Sequence, residues 1–416
     1  METLGILRHF LATRWRHFPS RPALEDWQQK QLKRHLNWVC RHSPLYRDFL
    51  GKPLDEFPLM NKATMMAQFD QLNTRGLRRD ELFDLALNAE KTRDFSRSNI
   101  ADVTVGLSSG TSGQRGLFIV SRAERLEWAG TIFAKLLPTL RQPQRIALLL
   151  RADSSLYQTV HRGRIQFHYV DLSQPPEQWL ESLERFQPTI LVGSAQALQW
   201  CARNSERLAP NLVVSGAEVL TPTDRALLQQ RFNCPINEIY QCTEGFLACT
   251  QRDGVLRWNE DAVHIEPKWL NAAHTHFSPI ITDFRRRTQP IIRYQLDDVI
   301  EVGNMPGVFQ SIGNIGGRCG DLLQLPGADI TVTIMSDLIY RAIALASAET
   351  LDYRISQLSA HRLRIESNAQ HSAIEQALTT LFRQQGALGS LEFEHAPAPV
   401  WQATQKQRRV VNAWTS

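Results

Sequence analysis

Val105-Gly-Leu-Ser-Ser-Gly-Thr-Ser-Gly-Gln-Arg-Gly116 is the stretch whose reading decides the fold. It packs four glycines and four hydroxyl-bearing residues between an apolar run and Leu117-Phe-Ile-Val120. Loops that merely join strands rarely need so many small polar residues. Glycine lets the backbone approach a ligand closely, and Ser and Thr hydroxyls add donors where amides already point inward. A loop holds phosphate in that way. No Gly-Lys-Ser/Thr follows at Walker A spacing, and no Gly-x-Gly-x-x-Gly opens a helix here. The competing reading is a flexible Ser/Gly surface loop.

The totals bound the answer. A chain of 416 residues is too long for one ordinary core and predicts a large domain plus a smaller one. Hydrophobic content of 43% and charged content of 21% describe a globular chain, and the net charge of +5 is spread along it. The densest cluster, Arg285-Arg286-Arg287, is short and lacks the interleaved aromatics of a nucleic-acid surface. It reads as a solvated loop or a contact to an anionic ligand, and no nucleic-acid partner is expected. Cys40, Cys201, Cys234, Cys242, Cys249 and Cys319 form no Cys-x-x-Cys pair. That spacing argues against a zinc site or a disulfide framework and predicts a cytoplasmic location. His274 and His276 read as surface histidines. No apolar run approaches the roughly 18 residues of a membrane span, so no membrane partner is expected. Gly5 to Arg16 is a basic amphipathic helix candidate that resembles a transit peptide superficially. It is read as a helix docked on the body, because helical pattern resumes soon after it.

Along the chain, Leu24 to Leu50 reads as helical, with Leu32, Leu36, Val39 and Cys40 on one buried face and Ser43-Pro44-Leu-Tyr46 interrupting. Phe57-Pro58-Leu-Met-Asn-Lys62 turns into a helix from Ala63 to Leu72, and a further helix is expected from Arg122 to about Leu140. Strands and helices then alternate. Arg145–Leu150, Phe167–Val170, Thr189–Gly193, Asn211–Gly216 and Ile236–Tyr240 are strands, and Glu177–Phe186, Ala195–Arg207 and a segment opening at Thr221-Pro222 are helices. This alternation predicts a largely parallel sheet between helices, with ligands at the carboxyl ends of its strands. Beyond Phe246 the pattern changes to short, turn-separated strands at Val255–Trp258, Ala262–Ile265, Pro279–Thr282 and Val299–Val302. Thr331 to Ala346 reads as a helix, Tyr353–Leu358 and Arg362–Glu366 as a hairpin, His371–Gln384 as a helix and Leu391–Glu394 as a strand. The fold class is therefore α/β: a large N-terminal domain, residues 1–317, with mostly parallel sheets flanked by helices and a β-rich section, then a small α+β domain, residues 318–416.

Polar groups recur at the strand ends. Ser215-Gly216-Ala217-Glu218 closes one strand, and Tyr240-Gln-Cys-Thr243-Glu244 places a hydroxyl and a carboxylate past the next. Arg293-Tyr-Gln-Leu-Asp297-Asp298 supplies paired carboxylates, Gly316-Gly-Arg318-Cys-Gly-Asp321 a guanidinium, and Thr404-Gln-Lys406-Gln-Arg-Arg409 a lysine. Singly these read as a helix cap, a solvated turn or a surface lysine. In this order the sequence resembles the adenylate-forming superfamily of acyl- and aryl-CoA ligases, adenylation domains and luciferases. Within it the chain resembles, as a divergent member, the phenylacetate–CoA ligase and coenzyme F390 synthetase branch, whose Ser-Pro-x-Tyr and Pro-x-x-x-Lys signatures correspond to Ser43–Tyr46 and Pro58–Lys62.

What the resemblance implies is specific. Ser108, Ser109, Gly110, Thr111, Ser112 and Gly113 correspond to the phosphate loop, and Ser215, Gly216, Ala217 and Glu218 to the segment facing adenine. Tyr240, Thr243 and Glu244 match the Tyr-Gly-x-Thr/Ser-Glu motif, in which the hydroxyl meets phosphate and the glutamate binds Mg²⁺. Asp298 corresponds to the aspartate that holds the ribose hydroxyls, Arg318 to the hinge arginine, and Lys406 to the catalytic lysine of the mobile small domain. ATP and Mg²⁺ are the expected cofactors and CoA the expected co-substrate. The expected partner is a carboxylic acid, aromatic by analogy with the branch, within a possible homodimer. Alternatives are transfer to a carrier protein, an amine or a reductase in a secondary-metabolite pathway, and an inactive nucleotide binder. Candidate walls for the acid are Trp128, Phe133 and Tyr157. The chain departs from the pattern at Gln114-Arg115-Gly116, where many relatives carry a loop lysine, and at Gln241, Asp297, Gly320 and Gln405.

Overall fold

The structure, a computed structural model, describes residues 2–92, 98–108, 116–138, 142–150, 165–172, 174–346, 352–368, 371–400 and 408–414. A seven-stranded sheet forms its centre. From one edge to the other its strands are Ile165–Asp171, Gln144–Leu150, Ile190–Gly193, Leu212–Ser215, Ile236–Cys242, Gly245–Thr250 and Leu256–Trp258. The first five run parallel, and the last two are added antiparallel. The parallel strands are short apolar runs because both faces are covered. One face packs on Trp179, Leu183, Leu198, Cys201 and Leu228 of the crossover helices, which run Pro176–Phe186, Ala195–Asn204 and Pro222–Phe232.

The other face meets the helix Arg122–Leu136, started by a capping box between Ser121 and Glu124. The N-terminal helix Glu2–Arg14 docks along it, burying Ile6 and Phe10. Arg14 donates to the carbonyls of Ala134 (2.8 Å) and Leu137 (3.1 Å), satisfying groups that a helix end leaves open.

A three-stranded antiparallel sheet carries the Ser/Gly stretch: Val103–Leu107 and Leu117–Ser121 form a hairpin with Leu107 opposite Leu117. The β-rich section is a five-stranded sheet built on His276–Asp283, every residue of which is buried. Residues from Leu323 onward surround a separate core of Leu323, Leu325, Ile339, Ile355, Leu363, Ile365, Ile374 and Leu378. The fold is thus α/β with a large N-terminal domain and a C-terminal domain.

Several local expectations are corrected. Val255–Trp258 belongs not to the β-rich section but to the central sheet, which Leu256–Trp258 extends through Gly245–Thr250. Thr331–Ile334 is a strand paired with Leu323–Pro326, and the helix starts only at Ser336. The alternating β-branched Thr-Val-Thr-Ile explains the strand, while helical spacing downstream masks the break. His276 is buried, its Nε2 3.5 Å from Asp337 Oδ2, because it opens the innermost strand of its sheet. Arg286 is likewise buried rather than solvated.

Candidate active site

The parallel strands end at one cavity of about 740 Å³. Gly216, Ala217 and Glu218 line it from the end of Leu212–Ser215, and Tyr240, Thr243 and Glu244 from the end of Ile236–Cys242. Ser108, Asp298 and Arg318 face the same space from the other sheets. Ser215 does not line it. The residue is buried beneath the rim, its hydroxyl without a hydrogen-bond partner among the described residues. Ser109, Gly110, Thr111, Ser112, Gly113, Tyr157 and Lys406 lie outside the described residues.

Asp298 and Arg318 come together because their strands pair with these two residues directly opposite. The Tyr240 hydroxyl donates to Asp298 Oδ2 at 2.5 Å. Burial, followed by the Asp298 carboxylate, lifts this phenol well above its ordinary pKa, so it stays a donor. Thr243 and Glu244 form the two-residue turn between antiparallel strands, with Cys242 opposite Gly245. Tyr294 hydrogen-bonds Glu244, and burial plus that carboxylate raise its phenol pKa as well. Glu244 and Asp298 both act on the buried Cys242 thiol, which burial has already pushed up. Both carboxylates thus lie near that thiol, where the strand ends meet the cavity.

The segment at Gly216 is tightly built. A Cβ there would lie 2.7 Å from Ile239 Cγ1, so only glycine lets the chain turn over that side chain. Ala217 follows at φ +67°, a conformation rare for a residue with a Cβ. Glu218 accepts from the Gln196 amide at 3.3 Å, at the start of the Ala195–Asn204 helix.

Three contributors take positions that the sequence pattern does not assign. Arg286 donates to the Thr243 carbonyl at 2.8 Å and to the Ile119 carbonyl at 3.4 Å, tying the Thr243–Glu244 turn to the hairpin that carries the Ser/Gly loop. Glu124 holds the Arg286 region in place by accepting from the Arg287 amide (2.6 Å) and the Thr288 amide (2.9 Å). Burial acts to raise the Glu124 carboxyl, but the Arg286 charge and bonds from Ser121 and Thr288 hold it below the ordinary glutamate value. The arginine triplet was visible in sequence, but not which member faces inward.

Lys62 is the second. Met60 bridges to Tyr294, and the Arg293 side chain grips the carbonyls of Asp55 (2.7 Å) and Phe57 (2.9 Å). This docks the Phe57–Lys62 segment beside the site, where Asn61 caps the next helix. The Lys62 side chain then lies across the neck of the Ser/Gly loop. A Cβ on Gly116 would come within 2.9 Å of Lys62 Cε. Mutual bonds close that neck, from the Ser108 amide to the Gly116 carbonyl (2.7 Å) and from the Gly116 amide to Ser108 Oγ (2.8 Å). A cation from another element thus stands where the loop itself lacks a lysine.

The third is the pair Arg408 and Asp321, which salt-bridge at the edge of the same cavity. The cavity's inner end is apolar, with Trp128, Phe133, Leu148, Phe167 and Ile190 between the Arg122–Leu136 helix and the sheet. Phe133 and Phe167 lie 5.8 Å apart, ring to ring. Among the described residues no group of three or more His, Cys, Asp or Glu side chains could hold a metal ion by itself. No helix among them is long and apolar enough to cross a membrane.

No protein-family model matches the chain. Protein CapK of Staphylococcus aureus is 30% identical over 158 residues, 35% of this chain and 35% of CapK. The chain thus spans about a third of the length of the curated relative it matches. Among solved structures, 2-hydroxyisobutyryl-CoA ligase in its postadenylation state, in complex with 2-HIB-AMP, superposes with a TM-score of 0.67. The identity is 16%, over 92% of this chain and 88% of the ligase. The amide bond synthetase McbA of Marinactinospora thermotolerans gives 0.54 at 12% identity, over 73% and 66% of the two chains. At these identities the likeness is one of fold: the chain has the fold of the adenylate-forming ligases.

Proposed function

We propose that this chain activates a carboxylic acid with ATP and passes the acyl group to the thiol of CoA. The carrying observation is convergence: the loop neck with Lys62, the Thr243–Glu244 turn, and the Tyr240–Asp298 pair beside Arg318 all face one cavity at the carboxyl ends of parallel strands. In the first step an acid oxygen attacks the α-phosphorus of ATP. A P–O bond forms, the bond to the bridging oxygen breaks, and pyrophosphate leaves with the electron pair. Two anions meet, so positioning and fixed positive charge matter more than a base.

The residues divide that work. Lys62 and the Ser108 neck, together with Ser109 to Gly113, face the phosphates. Asp298, aligned by Tyr240, accepts from the ribose hydroxyls, and Gly216 to Glu218 border the adenine. Thr243 presents its hydroxyl to phosphate on a turn that Arg286 anchors. Glu244 fits a Mg²⁺ site, since that ion takes one or two carboxylates and completes its shell with substrate phosphates and water. An Mg²⁺ held there would neutralise phosphate charge. Lys406 approaches the acid's carboxylate from the C-terminal domain, whose boundary we place between residues 317 and 318 at the hinge arginine Arg318. That domain then rotates to admit the thiol. Sulfur attacks the acyl carbon, a C–S bond forms, AMP departs with the C–O electron pair, and the thiol proton passes to solvent.

The ring-walled apolar end supports an aromatic acid, because planar walls select size and planarity. The second reading is an amine acceptor, favoured by the shared fold of McbA. Incubation with ATP, Mg²⁺ and a panel of acids, followed by CoA or amines, tests both. A CoA thioester with AMP as co-product supports the first. An amide without thioester replaces it with the second, and no acid-dependent AMP overturns both.

A further inference from the structure

Arg409 has its main chain in one domain and its guanidinium in the other. Its carbonyl accepts from the Ile355 amide at 2.8 Å, next to where Val410 pairs with Ile355 in the C-terminal sheet. Its side chain crosses to the Pro222–Phe232 helix and grips Asp224 with both nitrogens, at 2.7 and 3.0 Å. Asp224 is wholly buried and Arg409 nearly so. Asp224 is itself locked: it accepts from the Thr221 amide at 3.1 Å, completing the helix's capping box, and from the Gln199 side chain. The guanidinium lies 5.4 Å from the Tyr353 ring centre.

Neighbouring contacts differ in kind. Arg408 pairs with Asp321 just past Arg318, inside the C-terminal unit, so that contact travels with a rotating domain. Arg203–Asp352 (2.9 Å) also spans the two units, but both partners are about a third exposed, where an ion pair contributes little. A buried bidentate pair is geometrically demanding, and losing one partner strands a charge. Separating the domains as bodies instead returns both charges to water. The contact therefore favours one seating of the domains more than it stabilises either domain.

Both Arg408 and Arg409 line the cavity. We infer that Arg409, through Asp224, is the positioning residue that fixes the seating of the C-terminal domain for the first half-reaction, and that this pair parts before the second. The inference rests on the adenylation reading above.

The test measures both half-reactions and domain separation in the full-length chain. Arg409→Met should lower acid-dependent ATP–pyrophosphate exchange at least about tenfold, while thioester formation from a supplied synthetic acyl-adenylate stays within about twofold of the parent. Arg409→Lys should recover part of the exchange, and Arg203→Ala should change neither rate. The radius of gyration from small-angle scattering should rise in Arg409→Met and not in Arg203→Ala. If Arg409→Met fails to fold, Asp224→Asn, which keeps the residue's shape, carries the same expectations. Equal loss of both half-reactions, or unchanged exchange, would overturn the inference. Should the parent show no exchange with any acid, the adenylation reading fails on its own. Scattering then decides the seating, and an unchanged radius of gyration in Arg409→Met refutes it.

Discussion

Tyr240→Phe isolates one bond at the centre of the proposed nucleotide site. The ring packs 5.9 Å from that of Trp258, and phenylalanine keeps that volume, so the packing cost is small. What is lost is the 2.5 Å bond to Asp298, a charge-assisted contact in a buried setting. Such bonds are worth about 1.5–3 kcal/mol, and each 1.4 kcal/mol is a factor of ten. If Asp298 is held for the ribose hydroxyls, ATP affinity should fall by about ten- to hundredfold while the KM for the acid stays put. The assay is ATP titration of pyrophosphate exchange, repeated with 2′-deoxy-ATP and 3′-deoxy-ATP. The parent should discriminate against at least one deoxynucleotide, and the variant should discriminate less, because both changes act on one contact. Equal discrimination by parent and variant would refute the reasoning, as would an ATP KM that moves less than about twofold.

Three further outcomes are expected. Lys62→Met keeps the aliphatic stem across the loop neck and removes the charge, so ATP should bind about tenfold more weakly with Lys62→Arg retaining most affinity; isothermal titration with ATP checks this. Gly216→Ala places a Cβ 2.7 Å from Ile239 Cγ1 and should cost about 1–3 kcal/mol, read as a lowered melting temperature that Ile239→Val partly restores. Burial, then the Arg287 charge, pushes the His35 imidazole from 6.5 down to about 3. The unfolded chain therefore binds a proton that the folded chain refuses, and stability present above pH 6.5 is lost as pH falls toward 3. His35→Leu should remove about 2 kcal/mol of the stability difference between pH 7 and pH 5, measured by urea unfolding, and an unchanged difference would contradict the assignment.

The parallel sheet was legible because its strands include apolar runs closed by a small residue, as in Ile190–Gly193 and Leu212–Ser215. Part of the cavity was legible at the ends of such strands, where Tyr240, Thr243 and Glu244 line it. Long-range partners were not. Nothing near Lys62 signals that it crosses a loop some fifty residues away, and Arg409 meets Asp224 across a separation of 185 residues. Short strands such as Thr331–Ile334 owe their state to a partner strand, which local pattern does not reveal. Ser215 illustrates the converse: it stands in the right motif, yet its side chain is packed beneath the cavity rim.

The most direct test of the account is acid-dependent ATP–pyrophosphate exchange with Mg²⁺, run across aromatic, heteroaromatic and fatty acids for the parent, Glu244→Gln and Lys406→Ala. Exchange supported by one group of acids and lost in both variants is the predicted result. Exchange that persists in both variants, or no exchange from a protein that still binds ATP, would contradict it.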